Sequence, residues 1–279
     1  MTMQEMVADL SAGARTVWYR DVLSLVRDKS RLFGTLVMTG VMLVGLGFGL
    51  GGLIGKVGAG AAGPMGAASV PGVPFVAFIF PAMLAMTILG QALQSTMSIV
   101  WDREFGFMRQ ILVAPVSRTS VALGKVAGGI TIAVVQGAIM LVAAPFLGIP
   151  LTLPMVLLVL AVMVVLAATI TALGVLTAAR QKSTQAFQFI QLLVMMPIMM
   201  LSMGSFLPSF GSGTIATAFK IASAFNPVTY GIDALRQLML GSAMPASLIL
   251  HPVGVDVLVL GALFLVFLVP GVRLFSKQD

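Results

Sequence analysis

Apolar runs long enough to cross a bilayer recur along this chain, and nothing else in it restricts the fold so severely. About 20 apolar residues cover a hydrocarbon core of about 30 Å as helix. Inside lipid, every backbone amide and carbonyl must be bonded within its own segment or within a closed barrel. Barrel strands alternate polar with apolar residues, whereas these runs are apolar throughout. The chain therefore reads as an all-α integral membrane protein, in keeping with 59% hydrophobic and only 9% charged residues, where soluble domains carry about 25% charged. Six spans are expected, near 32–55, 73–100, 126–149, 155–179, 187–207 and 256–272. Residues 1–279 form one transmembrane domain, with no second domain, internal repeat or soluble linker in view.

The positive charges set the orientation. Five Lys or Arg precede the first expected span, four lie in 101–125, two in 180–186 and two in the C-terminal tail, so one face holds thirteen of the sixteen. The other face has Lys56, Lys220 and Arg236. By the positive-inside rule both termini and the 101–125 island are expected in the cytoplasm of a multi-pass protein of the cell membrane. The net charge of +7 is then an orientation signal with some attraction to anionic lipid, and no reason to expect nucleic acid. The absence of cysteine excludes thiolate metal sites and disulfides, and the single histidine, His251, cannot build a multi-histidine site. No metal site is expected. Residues 1–31 mix acidic and basic groups without a short apolar core, so the first span is expected to act as its own insertion signal.

Ahead of that span, Trp18, Val22, Leu25 and Leu32 share one helical face, while Arg20, Asp21, Arg27, Asp28 and Arg31 occupy the rest. This predicts either an interfacial helix or a basic flank anchoring the span. Gly45, Gly47, Gly49, Gly51 and Gly52 offer a packing face or a frayed span end. The short link 150–154 predicts a tight external turn that makes spans three and four a helical hairpin. In the external segment 208–250, Asn226 can cap a helix starting at Pro227. There Val228, Ile232, Leu235 and Met239 line one face, and Asp233 can pair with Arg236 at i, i+3. The result is an interfacial or re-entrant helix before span six.

The island reads WDREFGFMRQILVAPVSRTSVALGK. Trp101, Phe105, Met108 and Leu112 repeat at spacings of four, three and four, giving a helix with an apolar stripe. Asp102, Arg103, Glu104, Arg109 and Gln110 cover its other sides. Ala114-Pro115 should stop it, because the residue before proline avoids α geometry and proline cannot donate. Ser117 can cap the turn that leads through Gly124-Lys125 into span three. Periodicity alone fits a docking lever or a plain amphipathic connector.

Asp102-Arg103-Glu104-Phe105-Gly106, followed by Leu112, Ala114-Pro115, Ser117 and Gly124-Lys125, resembles the cytoplasmic loop of permease subunits of the type-2 ATP-binding-cassette exporters. These include drug-resistance and polysaccharide-export permeases. Asn226-Pro227-Val228-Thr229-Tyr230-Gly231-Ile232-Asp233-Ala234-Leu235-Arg236 is similar to the signature before that family's last span, so the resemblance covers essentially the whole chain. It implies a dimer of permeases, here a homodimer, served by two copies of a separate ATPase subunit that binds ATP and Mg. It also implies that the island is a coupling helix in a groove of that ATPase, with Glu104 and Arg109 near the polar contacts. No cofactor is expected in this chain. Independently, neither Gly55-Lys56 nor Gly124-Lys125 has the upstream glycine or following Ser/Thr of a phosphate-binding loop, so ATP hydrolysis is not expected here.

No ionisable residue lies in 57–100, 126–179 or 183–219, which weakens an ion-coupled carrier. An ion-coupled or passive transporter without an ATPase partner is the alternative. Gln91, Gln94, Ser95 and Ser98 in span two, and Thr184, Gln188 and Gln191 in span five, gather polar atoms, while Met195, Met196, Met199, Met200 and Met203 add an adaptable apolar surface. They are candidates for a pathway that accepts lipophilic or amphipathic cargo such as a drug, lipid or glycolipid. The same glutamines can equally bond neighbouring helices. A Ser–His–Asp enzyme would need His251 brought to Asp256 and a serine, which nothing in the spacing supports.

Overall fold

The computed structural model describes residues 3–45, 73–105, 118–181, 183–202, 217, 221–244 and 249–276. The described residues form helices and connecting turns: α1 (Met3–Arg27), α2 (Lys29–Val44), α3 (Phe75–Glu104), α4 (Arg118–Leu141), α5 (Leu153–Ala178), α6 (Thr184–Ser202), α7 (Pro227–Leu240) and α8 (Val253–Ser276). Five of them, α3, α4, α5, α6 and α8, are long and apolar enough to cross a membrane. The expected first span is helical from Lys29 to Val44, and the part of it beyond Gly45, with Gly47, Gly49, Gly51, Gly52 and the loop up to residue 72, lies outside the described residues.

The axes can be oriented from two cation–π contacts. The Arg103 guanidinium stands 5.4 Å from the Phe275 ring, so the C-terminal ends of α3 and α8 lie together. At their N-terminal ends the Arg236 guanidinium of α7 lies 4.4 Å over the Phe78 ring of α3. The bundle thus has one end carrying the last turns of α3, α5 and α8, and an opposite end carrying α7.

In lipid no hydrophobic driving force pulls helices together, so small residues and close contact hold such bundles. Gly137 of α4 shows this: a Cβ there would stand 2.5 Å from the Met163 methyl of α5. Leu84, Ile88 and Leu89 of α3 pack with Leu166 and Ile170 of α5 and with Val228, Ile232 and Leu235 of α7. The outward faces of α2, α6 and α8 remain apolar and exposed, at Phe33, Met38, Leu192, Met200, Leu258 and Val266 among others, as lipid contact requires.

Several expectations shift. The third span begins and ends about two turns early, at Arg118 and Leu141. A 3₁₀ turn, Ala144–Leu147, follows and closes on Gly148 at φ +79°, a left-handed conformation that suits glycine. The link to α5 is therefore longer than the expected turn at 150–154, and Pro154 sits in the first turn of α5, where its missing N–H costs nothing. α7 is packed into the bundle against α3, α5 and α8. Its apolar face is buried as expected, but so are Thr229, Asp233 and Arg236, so it is not an interfacial helix with a solvated polar side.

α1 also departs from a simple interfacial helix, because it docks on α4. Trp18 Nε1 donates to Thr131 Oγ1 at 3.0 Å, and Val17 and Leu25 are buried. The close approach depends on Gly124 and Gly128, four apart on α4: a Cβ at Gly124 would stand 2.6 Å from the Ala14 carbonyl oxygen, and one at Gly128 3.1 Å from the Asp21 Cβ. This is the small-xxx-small packing of membrane helices.

Candidate functional site

The last turn of α3 brings the charged island into the structure. α3 continues without a break through Trp101 to Glu104 and stops at Phe105, whose amide bonds back to the Trp101 carbonyl at 3.0 Å. The island therefore begins as the end of a span and not as a separate helix, because the apolar stripe through Trp101 has the same helical period as the span before it. Gly106, Met108, Arg109, Gln110, Leu112, Pro115 and Ser117 lie outside the described residues.

Asp102, Arg103 and Glu104 each engage different neighbours. The Asp102 carboxylate pairs with Lys125 of α4 and Arg20 of α1, both at 3.0 Å. Lys125 Nζ also lies 3.4 Å from Asp21 and donates to Ser98 Oγ at 2.8 Å. Its side chain is only 3% exposed, so the cluster is an internal one, and a buried ammonium is tolerable only with such partners. Burial pulls the Arg20 pKa down, but the Asp102 and Asp21 carboxylates push it up by more, and the net shift is upward. Arg20 therefore stays charged.

Arg103 turns the other way. Its Nη1 donates to the carbonyls of Ala179 at 2.6 Å, Gln181 at 3.2 Å and Ala178 at 3.3 Å, at and just beyond the C-terminal end of α5. Cationic charge at a helix C-terminus is also favoured by the peptide dipoles. Glu104 accepts the Thr184 amide at 2.8 Å and the Thr184 hydroxyl, so it caps the start of α6 with the matching sign of charge. Three consecutive residues thus tie the end of α3 to α1, α4, α5 and α6.

Asp102 and Arg103 are half-buried and turn towards neighbouring helices, while Glu104 stays exposed. Glu104, expected near polar contacts with a partner, is exposed and also accepts from Thr184. Trp101 and Phe105, 45% and 71% exposed, face outward together with the exposed Glu104. No local pattern signals which helices Asp102, Arg103 and Glu104 reach. The Gly124/Gly128 spacing was available as a signal and would have placed α1.

The expected pathway residues divide. Ser95 donates to the Ala92 carbonyl at 2.7 Å and packs against α4, where a Cβ on Gly129 would come within 2.5 Å of its oxygen. It is tied to the α3–α4 contact, because a short hydroxyl bonds back to its own helix where glycine lets α4 approach closely. Gln94 is exposed, with Nε2 3.7 Å from Met97 Sδ, and Gln91 is half-buried. On α6, Gln188 and Met199 are exposed, Gln191 and Met195 are half-buried, and Phe187 and Ser202 are its buried residues.

At the opposite end, Asn226 caps α7 as expected, accepting the Val228 amide at 3.1 Å. Its amide nitrogen also donates to the Ile198 carbonyl at 2.9 Å and Ser202 Oγ at 2.8 Å, which ties α7 to α6. Pro227 occupies the first turn, and the Tyr230 hydroxyl donates to the Ala224 carbonyl at 2.7 Å. Asp233 and Arg236 attract one another electrostatically, as the i, i+3 spacing allows, and Asp233 is held by a further pair of bonds. Its Oδ2 accepts the amides of Leu250 and His251, both at 3.0 Å, because the chain before α8 folds back over it.

A bundle of long apolar helices, with its buried charges gathered at its two ends, defines a multi-pass helical membrane protein. The family model of the ABC-2 type transporter matches residues 13–240, and the chain belongs to that family. It is a transport permease, and permeases of this family generally pair with an ATPase subunit. A search of curated proteins finds no match.

Proposed function

We propose that this chain is the membrane-spanning half of an ATP-driven exporter in the cell membrane. It moves a lipophilic or amphipathic substrate outward by alternating access, as a homodimer served by two copies of a separate ATPase that binds ATP and Mg. Both termini and the 101–125 island face the cytoplasm in this reading, as the distribution of Lys and Arg supports.

The observation that carries the proposal is the arrangement at the end of α3. The end of α3 at Phe105 is anchored directly behind by Asp102, Arg103 and Glu104 to four other helices. A partner that pushes on it displaces the ends of α1, α4, α5 and α6 together. Phe105 and Trp101 offer that partner an apolar contact with the exposed Glu104 beside them, and Asp102 and Arg103 transmit the movement. Gln91, Gln94, Gln188, Gln191, Met195 and Met199 remain the candidates for contact with cargo.

The test is reconstitution with the cognate ATPase in liposomes. Phe105→Asp leaves every described bond in place, and it is expected to abolish complex formation or substrate-stimulated ATP hydrolysis. Full stimulation in a Phe105→Asp, Gly106→Pro double variant would refute the docking assignment. Transport by the chain alone, driven by an ion gradient, would establish the ion-coupled alternative.

A further inference from the structure

Asp233, His251 and Asp256 come together at the end of the bundle opposite the Asp102 cluster, although 18 and then five residues separate them in sequence. One ligand atom from each lies within 4.8 Å of the others, and His251 Nδ1 stands 3.7 Å from Asp256 Oδ1. Asp233 and Asp256 are 2% and 0% exposed. Two carboxylates so close and so deeply buried repel one another and have lost their water, and the Arg236 guanidinium that attracts Asp233 offsets one of the two charges at most.

The hydrogen bonds leave a specific set of atoms open. Asp233 Oδ1, His251 Nδ1 and both carboxylate oxygens of Asp256 are buried without a hydrogen-bond partner. The groups around them are held in place. Asp233 Oδ2 takes the amides of Leu250 and His251 at 3.0 Å, which fixes the direction of Oδ1. Gln237 Nε2 donates to the His251 carbonyl at 2.7 Å, and the His251 ring stacks on Tyr230 with centroids 5.5 Å apart. Arg236, one turn beyond Asp233, places its guanidinium over Phe78. The His251 side chain is 45% exposed, so the cluster has a way in from solvent.

We propose that Asp233, His251 and Asp256 form a binding site for a divalent transition cation, with zinc as the probe. One imidazole nitrogen and two carboxylate oxygens suit zinc or manganese better than the all-oxygen sets that calcium and magnesium take. A dication matches the charge of the two carboxylates, and a water completes the coordination, as in three-ligand zinc sites. Bonds of about 2.1 Å place tetrahedral ligand atoms about 3.4 Å apart, so the site closes by about 1 Å on binding. Asp233 is on α7, His251 on the chain between the helices and Asp256 in the first turn of α8, so the cation would staple α7 to the last span.

Tag-free, full-length protein in detergent, stripped with a chelator, is titrated with zinc while heat release, bound metal and the thermal midpoint are measured. The chain suits this test, having no cysteine and no histidine besides His251 to take up zinc elsewhere. One zinc per chain is expected, with a rise in the midpoint. Loss of a direct ligand in Asp256→Asn or His251→Ala should weaken binding by about 100-fold or more, beyond the 10–100-fold typical of the groups that support a ligand. Asp102→Asn, at the other end, should bind as the parent does. If Asp256→Asn does not fold, the half-exposed His251→Ala decides. Folded parent protein that takes up no zinc in a saturable manner, or folded His251→Ala with unchanged affinity, would overturn the proposal.

Discussion

Replacing Lys125 by alanine should be among the most damaging single changes at the Asp102 cluster. The ammonium is 3% exposed and lies 3.0 Å from Asp102, 3.4 Å from Asp21 and 2.8 Å from Ser98 Oγ. Without it, two carboxylates with side chains only 13% and 15% exposed share the single guanidinium of Arg20, itself half-exposed at 47%. Removing one member of a buried ion pair costs about 3–5 kcal/mol. Because Arg20 continues to neutralise Asp102, the lower end applies, about 3 kcal/mol. For a chain of this size that corresponds to a fall of about 6–12 °C in the thermal midpoint in detergent. Lys125→Met, which keeps most of the stem, should fall nearly as far, since the charge and not the volume is at issue. In a double-mutant cycle, Asp21→Asn should cost less in the Lys125→Ala background than in the parent, with a coupling of about 1–3 kcal/mol. A fall below about 2 °C, or additive single and double variants, would refute the view that these charges hold α1, α3 and α4 together.

Three further outcomes follow from the packing. Gly124→Val puts side-chain atoms where the Ala14 carbonyl and Val17 sit, an overpacking cost of about 1–3 kcal/mol, so trypsin should cut at Arg20 about 5–150-fold faster; an unchanged rate would mean α1 is not docked there. Leu176→Cys with Gly271→Cys, whose Cβ atoms would be 3.6 Å apart, should oxidise readily to a disulfide in this cysteine-free chain, whereas Leu176→Cys with Gly254→Cys should not; the reverse pattern would misplace α8 on α5. Asn226→Ala removes the α7 cap and the bonds to Ile198 and Ser202, and should lower stability by about 2 kcal/mol, read as a lower thermal midpoint; a neutral result would discard the α6–α7 tie.

What could be read from the sequence was largely what is local in it. The Asn226-Pro227 start of α7 depends on a side chain reaching an amide two residues on, so the sequence contains both partners. The spans were readable because apolar length is a property of a single segment, although Pro145 and Gly148 drew the end of α4 back from the expected position. Periodicity identified the face of α1 with Trp18 and Leu25, but a bilayer and a neighbouring helix ask for the same apolar face, so docking on α4 was not readable from that stripe. The sequence likewise offered Asp102, Arg103 and Glu104 as exposed charges. Their partners at Lys125, Ala179 and Thr184 are 23 to 80 residues away, and only the folded bundle brings them into reach. His251 and Asp256 were known to be near one another in sequence, whereas Asp233 joins them through the return of the chain over α7.

The role of the α3 end as the point where an ATPase pushes can be tested at a single residue. A photo-crosslinking amino acid replaces Phe105, 71% exposed beside the Asp102 cluster, in the full-length protein expressed in its own cells, with Phe146, 87% exposed at the other end of the bundle, as the comparison. Irradiation at Phe105 should join the chain to a protein that mass spectrometry identifies by its phosphate-binding loop as an ATPase, and irradiation at Phe146 should not. Labelling of that ATPase from Phe146 and not from Phe105, or from neither position while the two proteins still purify as a complex, would contradict the account.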